Sequence, residues 1–317
     1  MRIKRCDMIL CAGEALIDMI PEPTIGGASG YVPHAGGAVY NTAIGLGRLG
    51  ADTALLSGIS RDGFGDLLLQ GLADSNVSTG HVCRYDELTT LAMVQLRDGQ
   101  ATYRFYDENS AGQAVRLEHI APLPDAVKAL FIGGISLIDG PAAATYTDLA
   151  QREAPQRVIM MDPNIRPTLI QEPEVYRNRL AALLAVADIV KLSDEDLDWL
   201  APDAKGLENQ ISAVLAQGPQ LILLTLGSDG ARAYHQNGAQ AETSAPSVTV
   251  VDTVGAGDTF NAGALAHLQK QGALTRQDIA DLTATDLHAL LSYASRVAAV
   301  TVTRQGANPP WAHELTS

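Results

Sequence analysis

Positive charge is scarce in this chain. Lysine and arginine number 22 against 36 aspartates and glutamates, a formal balance of −14. Nucleic acids and anionic membranes are gripped through basic patches, so neither is an expected partner. A phosphorylated ligand is not excluded, because backbone N–H groups and a few placed cations can hold phosphate. Cysteine is nearly absent. Cys6, Cys11 and Cys83 cannot all pair and have no C-x-x-C spacing, which excludes a disulfide framework and suits thiols in a reducing compartment. The seven histidines include no pair at the i, i+4 spacing of a zinc-binding helix. No run approaches the roughly 18 charge-free apolar residues of a membrane helix. The N-terminal stretch starts basic and turns apolar, but Asp7, Glu14 and Asp18 interrupt it. A signal peptide is therefore not expected, and the cytoplasm is the expected location. Also missing are a G-x-x-x-x-G-K-[ST] loop and the H-R-D and D-F-G sets, so P-loop and protein-kinase chemistry are excluded.

What is present is apolar material, 46% of 317 residues, enough for a sizeable core. The length allows two domains or one large α/β domain, and the reading here is a single domain over 1–317. Apolar runs at 8–12, 54–59, 130–132, 158–161, 189–192 and 221–226 predict buried strands. Unbroken apolarity suits parallel strands covered on both faces. Amphipathic stretches at 66–73, 142–152, 175–186 and 210–217 lie between them. The rhythm is that of a doubly wound, mostly parallel α/β sheet with helices on both faces. Two stretches break it. Residues 19–34 are rich in glycine and proline, and 88–107 place β-formers on either side of Asp98-Gly99, a hairpin signal. Together they predict a small β lid inserted near the N-terminus. Such a sheet exposes an edge and an apolar face that a second copy would cover, so a homodimer through the lid is expected.

The most informative segment is Asp252-Thr253-Val254-Gly255-Ala256-Gly257-Asp258-Thr259-Phe260. It follows a strand-like run at 247–251 and opens a helix over Ala256–Gln271, which Gly272 stops. Glycines at a helix entry let the N–H groups of Gly255, Ala256 and Gly257 point into one space, an anion hole backed by the helix dipole. A carboxylate beside such a hole, Asp258, has a use in accepting the proton of a hydroxyl that attacks phosphorus. A helix-capping aspartate is the alternative, and Gly-Ala-Gly-Asp alone does not separate the two.

The segment from Asp252 to Phe260 resembles the second signature of the PfkB, or ribokinase-like, carbohydrate kinases. Gly36-Gly37-Ala38-Val39-Tyr40-Asn41-Thr42-Ala43, followed by Leu49-Gly50, resembles the first, and the similarity runs down to 302–307. The resemblance implies an ATP-dependent sugar kinase with a ribokinase-like fold. It implies that Gly36, Gly37 and Asn41 line the sugar pocket and that Asp18 accepts sugar hydroxyls, as a carboxylate can from a vicinal diol. Arg166, in Asp162-Pro163-Asn164-Ile165-Arg166-Pro167, matches the arginine that faces the substrate and the moving phosphoryl group. Phe105 would add an apolar lid surface. Lys191-Leu192-Ser193-Asp194-Glu195-Asp196 stands where the family has N-x-x-E, which organises Mg²⁺ through water. Ser193 replaces the asparagine and Asp196 the glutamate, with Glu195 as the alternative. The run 225–230 resembles the nucleotide-binding turn, so Lys191, Ser193, Thr225, Gly227 and Gly230 are implied at ATP. Residues 301–310 resemble a loop whose carbonyls hold a monovalent cation. Thr301, Arg304 and Gly306, with Asp252 and Val254, are then implied around K⁺.

Within the family, Gly-Glu-Ala-Leu-Ile-Asp at 13–18, Asp-Pro-Asn-Ile-Arg-Pro and the run 103–111 look more like bacterial fructokinases than ribokinases. That implies fructose as substrate and fructose 6-phosphate as product. A 2-keto-3-deoxygluconate kinase is the rival, and its substrate carboxylate would need a cation. Strand alternation sets Arg104 opposite Tyr103 and Phe105, outside the pocket, which favours the neutral sugar. Gly45-Leu46-Gly47-Arg48-Leu49-Gly50 fits G-x-G-x-x-G but lies in and at the end of a helical pattern. A dinucleotide-dependent oxidoreductase therefore lacks its strand–turn–helix context. A silent sugar-binding regulator would lack the base, and Asp258 is present.

Overall fold

The unbroken apolar runs are buried on both faces, and all but the second half of 54–59 build one sheet. The computed structural model describes residues 7–97 and 100–315. In chain order its elements are β1 (Met8–Ala12), β2 (Leu16–Pro23), β3 (Ser29–Gly36), α1 (Ala38–Arg48), β4 (Thr53–Leu56), β5 (Gly58–Ser60), α2 (Gly63–Asp74), β6 (Cys83–Tyr85), β7 (Leu91–Arg97) and β8 (Gln100–Tyr106). Then come β9 (Val127–Gly133), α3 (Gly140–Glu153), β10 (Val158–Asp162), α4 (Pro173–Leu184), β11 (Ile189–Ser193), α5 (Asp194–Leu200), α6 (Leu207–Leu215), β12 (Leu221–Thr225), β13 (Ala231–His235), β14 (Gln240–Thr243), α7 (Ala256–Gln271), α8 (Arg276–Ala280) and α9 (Ala284–Thr301).

Among the described residues the main sheet has eight strands in the order β14-β13-β12-β11-β10-β9-β1-β4. Pairing is parallel from β4 to β12, and β13 and β14 add an antiparallel edge. In β1, Ile9 and Cys11 face a core shared with α1, α7 and α9, while Leu10 and Ala12 face the core under α3 and α4. The chain passes from β1 to β4 on one side and then crosses back to β9 on the other. This places a switch point, and a crevice, at the carboxyl ends of β1 and β9. A four-stranded sheet in the order β3-β2-β7-β8 stands apart from it. No described helix is long and apolar enough to cross a membrane.

Two expectations need correcting. The run 54–59 is not one strand. It splits into β4, in the main sheet, and β5, which pairs with β6 in a separate two-stranded sheet. Gly58 lies so close to the Ala111 carbonyl that a Cβ would collide with it, and the chain leaves the main sheet at this crossing. The run 247–251 has no regular structure and joins no sheet, and Val248, Val250 and Val251 are exposed. Its β-branched residues favour extended backbone, but β14 already ends the sheet at Thr243 and nothing beyond pairs with it. The turn residues Asp98 and Gly99 lie outside the described residues. β7 and β8 on either side pair antiparallel, from Leu91 opposite Tyr106 to Arg97 opposite Gln100.

Candidate active site

α7 starts at the carboxyl edge of the main sheet. Its N-cap, Gly255, is left-handed at φ 76° and provides no side-chain cap, a conformation glycine adopts without steric cost. The Ala256 amide turns back to the Thr253 carbonyl at 3.2 Å, and no side chain caps the rest of the first turn, which suits an external acceptor, as in an anion site. Asp258 is the third residue of α7 and only 8% exposed. Burial pushes its carboxyl up to about 7, the Asn41 amide opposes the rise, Asp162 and Glu14 add to it, and Lys191 opposes it. Asn41 Nδ2 donates to Asp258 Oδ2 at 2.9 Å, and the Thr42 hydroxyl donates to the Asp258 carbonyl at 3.2 Å. The two sequence signatures therefore meet where α1 packs on α7. A carboxyl poised near neutrality beside open helix amides can take a hydroxyl proton while the amides stabilise charge on a phosphoryl group.

A buried charge cluster lies beneath. Lys191 Nζ is 3.2 Å from Asp162 Oδ2, with the two side chains 6% and 3% exposed. The same oxygen accepts from Asn261 Nδ2 at 2.7 Å, and Asp162 Oδ1 accepts from Asn164 N at 3.1 Å. Burial alone would depress the lysine, but the charges of Asp162 and Asp196 outweigh it and raise its pKa. A Cβ at Gly257 would come to 3.1 Å from Lys191 Nζ, so a side chain there would crowd the ammonium against α7.

On the other side stands the small sheet. Asp18 is level with Ala92, and Ala92 with Phe105, so the three share one face. The Tyr103 and Phe105 rings stack with centroids 6.3 Å apart. Gly36 lies against Asp18, whose carboxylate a Cβ at 36 would strike. Gly37, at φ 104°, is the N-cap of α1. Burial pushes Asp18 up to about 6. The Tyr103 phenol is raised by burial and by the charge of Asp18, and lowered by Arg166, which puts it near both. A cleft of about 930 Å³ opens between β8 and the core, lined among others by Tyr103, Phe105, Gln113, Ile135 and Thr168. Arg104 borders this cleft as well. β8 is an edge strand, so both its faces reach the cleft, and alternation does not set Arg104 outside.

The remaining candidates take these places. Arg166 is exposed, and its Nη1 donates to the Ile165 and Asn164 carbonyls at 3.1 and 3.5 Å. Ser193 Oγ caps α5 by accepting from Asp196 N at 3.0 Å. Asp196 is buried, and its carboxylate accepts from Ser193 N at 2.9 Å and Ile165 N at 2.7 Å. Thr225 Oγ1 donates to the Leu192 carbonyl at 3.2 Å, and Gly227 and Gly230 turn the chain into β13 with φ of 55° and 104°. Asp252 joins the loop after α9 to the entry of α7. Its carboxylate accepts from Val254 N at 3.0 Å and Gly306 N at 2.8 Å, and Val251 N donates to the Val302 carbonyl at 2.8 Å. Thr301 is buried at the end of α9. The Arg304 guanidinium is drawn off to Glu314 at 2.6 Å.

Sequence reasoning gave no role to Asp162, Asn261, Thr42 or Tyr103. A signal for Asp162 existed. An aspartate at the end of one apolar run and a lysine inside the next are opposite charges on neighbouring parallel strands, where burial demands pairing.

The layout is that of a doubly wound α/β phosphotransferase working at the carboxyl edge of its sheet. Residues 7–314 match the model of the pfkB family carbohydrate kinases, and the chain belongs to that family. It is 46% identical over 281 residues to a fructokinase of Rhizobium leguminosarum bv. trifolii, covering 87% of this chain and 84% of that one. The fructokinase of Xylella fastidiosa, solved with bound ATP, superposes with a TM-score of 0.89 at 31% identity, covering 99% of this chain and 97% of that one. A fructokinase double mutant of Vibrio cholerae O395, in its fructose-, ADP- and potassium-bound form, superposes with a TM-score of 0.80 at 26% identity, covering 96% and 95%.

Proposed function

We propose that this carbohydrate kinase is an ATP-dependent fructokinase that yields fructose 6-phosphate. The observation that carries the reading is the Asn41–Asp258 contact at the uncapped start of α7, in a chain whose relatives bear the name fructokinase. The sugar lies between core and lid, held by Asp18, Gly36, Gly37 and Asn41, with Phe105 above it. Asp258 accepts the proton of the primary hydroxyl as its oxygen attacks the γ-phosphorus of ATP. Gly255, Ala256 and Gly257 N–H groups, with Arg166, stabilise the developing charge. Thr225, Gly227 and Gly230 shape the nucleotide side, and Lys191 and Ser193 support it from beneath. The whole chain, 1–317, works as one unit, and the lid formed by 19–34 and 88–107 closes over the sugar and limits ATP hydrolysis.

ATP-dependent kinases of this kind work with Mg²⁺. Among the described residues no group of three or more His, Cys, Asp or Glu could hold a metal. Each Asp196 oxygen accepts one backbone amide and keeps a lone pair for a water, so Asp196 fits a contact to Mg²⁺ through water rather than direct ligation, and Glu195 is exposed. The residues present fit only a hydrated ion carried by the nucleotide phosphates. For K⁺ the fit is better. The loops at 251–254 and 301–306 are tied edge to edge, and Glu314 neutralises the Arg304 guanidinium. A monovalent ion held by oxygens of Asp252, Val254, Thr301, Arg304 and Gly306 would fix the helix entry. Initial rates are therefore expected to be higher in K⁺ than in a large organic cation at equal ionic strength, and equal rates would remove the site.

Two copies pair through their lids. Tyr31, Leu88 and Tyr106 are exposed on or beside the small sheet, and a groove of about 850 Å³ there is lined by Phe64, Leu67 and Leu91. Sedimentation at micromolar concentration is expected to give a dimer, and a monomer would reject the pairing. The charge balance of −14 supports small-molecule partners rather than nucleic acid or membrane, and the free thiols of Cys11 and Cys83 support a reducing, cytoplasmic location. The test of the function is kcat/KM for fructose, ribose and 2-keto-3-deoxygluconate side by side. Fructose is expected at least tenfold ahead, about 1.4 kcal/mol in transition-state binding. A lead for 2-keto-3-deoxygluconate would give Arg104, which borders the cleft, the substrate carboxylate as its partner and overturn the substrate.

A further inference from the structure

Helix α1 has an unusual start. Its N-cap is Gly37, which makes no side-chain bond, and its first turn contains no acidic residue. A helix start leaves four N–H groups without intrahelical partners. Two of them are satisfied from one residue far back in the chain. Glu14 Oε1 accepts from Ala38 N at 3.0 Å, and the Glu14 carbonyl accepts from Tyr40 N at 3.2 Å. The other carboxyl oxygen is fixed on the far side, where the Ser136 hydroxyl lies at 2.7 Å and Ser136 N at 3.3 Å. Ser136 Oγ also lies 2.7 Å from the Gly133 carbonyl. The backbone makes room for this carboxyl at two glycines. A Cβ at Gly37 would come within 2.9 Å of Glu14 Cγ, and one at Gly134, φ 66°, would collide with the Glu14 carboxyl. Only 9% of Glu14 is exposed.

We infer that Glu14 is a positioning residue for the sugar half of the site: it replaces the missing cap of α1 and locks the Gly36-Gly37 turn and Asn41 onto Asp258. The side chain bridges the carboxyl ends of β1 and β9, the switch-point crevice of the sheet. Burying a carboxyl is costly unless its partners are in place, and here all its bonds go to the turn and helix that hold Gly36, Gly37 and Asn41, or to the loop after β9. None goes to the nucleotide side at 225–230. The effect of Glu14 should therefore fall on the sugar and on the chemical step, and leave ATP binding alone. This inference rests on the sugar-kinase reading above.

The test uses the full chain and the sugar that wild type turns over best. Glu14→Ala removes cap and bridge together. It is expected to raise the KM for sugar roughly tenfold and lower kcat by a similar factor, because small misplacements at a reacting centre are expensive, with the KM for ATP within about twofold of wild type. Glu14→Gln is expected to restore most of the loss. Its amide oxygen can still accept from Ala38 N, and its NH₂ can donate to Ser136 Oγ while that hydroxyl donates to the Gly133 carbonyl; only the long bond from Ser136 N, 3.3 Å, is given up. Should Glu14→Ala fail to fold, Ser136→Ala frees one side of the bridge and is expected to raise the sugar KM about threefold with ATP unaffected. The inference is overturned if sugar and ATP KM move together, if Glu14→Gln is as impaired as Glu14→Ala, or if the variants lose thermal stability with unchanged kinetics. A wild type that phosphorylates no sugar would instead defeat the functional reading itself.

Discussion

Asp258→Asn is expected to lower kcat by roughly 10²–10⁴, the usual worth of a positioned general base, while the fold and ATP binding persist. The two side chains have the same shape, and the Asn41 contact at 2.9 Å can be kept by turning the new amide so that its oxygen faces Asn41. What disappears is the capacity to accept a proton. Stability should not suffer. Burial holds the Asp258 pKa up to about 7, above the ordinary aspartate value of 3.8. The folded state therefore favours the protonated form, and stability from this group is lost as pH rises from about 4 through about 7. At pH 8 the neutral asparagine relieves that penalty, so the variant should melt at or above the wild-type temperature. Activity runs the opposite way with pH. Protonated Asp258 cannot act as a base, so wild-type kcat/KM should fall on the acid side of about pH 7. The measurement is single-turnover kinetics of both proteins with a melting curve for each. A variant with near-normal kcat would remove Asp258 from the base role and leave it as a buried structural carboxyl.

Main-sheet strands, the helices between them and the open start of α7 were legible in the sequence because each depends on local pattern. Unbroken apolar runs such as 158–161 have one economical solution, a strand buried on both faces, and Gly255 and Gly272 mark the ends of α7 by their left-handed backbone. The failures are places where pattern and pairing part. Residues 247–251 have strand composition but join no sheet, bonding only through Val251 to the Val302 carbonyl, and 54–59 is cut by a crossing at Gly58 that no periodicity reports. Arg104 shows a related limit: alternation fixes which face a residue takes, but not which faces a cleft touches when the strand is an edge. In the site, Asn41 and Asp258 could be named separately, yet their contact crosses most of the chain. Asn261 stayed silent because its partner is set by helix packing, and the charge signal at Asp162 and Lys191 becomes a pair only once strand register is known.

Asp162→Ala is expected to cost about 3–5 kcal/mol of stability, the range for removing one member of a buried ion pair. The magnitude follows from what remains. Lys191 Nζ has its bonded carboxylate 3.2 Å away in a site where its side chain is 6% exposed. Asp196 and Asp258 also act on it by charge, but both are spoken for: Asp196 accepts from the Ser193 and Ile165 amides and Asp258 from Asn41. Alanine at 162 also takes the acceptor from the Asn261 amide, whose Oδ1 already has no partner, and from the Asn164 amide that starts the Arg166 loop. Removing the lysine as well should help. In Asp162→Ala/Lys191→Met the uncompensated ammonium is gone, and replacing both charges of a buried pair costs less than stranding one. The double variant should therefore lie closer to wild type than Asp162→Ala does. Urea titration of the wild type, both single variants and the double variant gives the coupling directly. If Asp162→Ala unfolds within about 1 kcal/mol of wild type, or if the double variant shows the plain sum of the two single losses, the pair is not the buried support of the α7 entry that its geometry indicates.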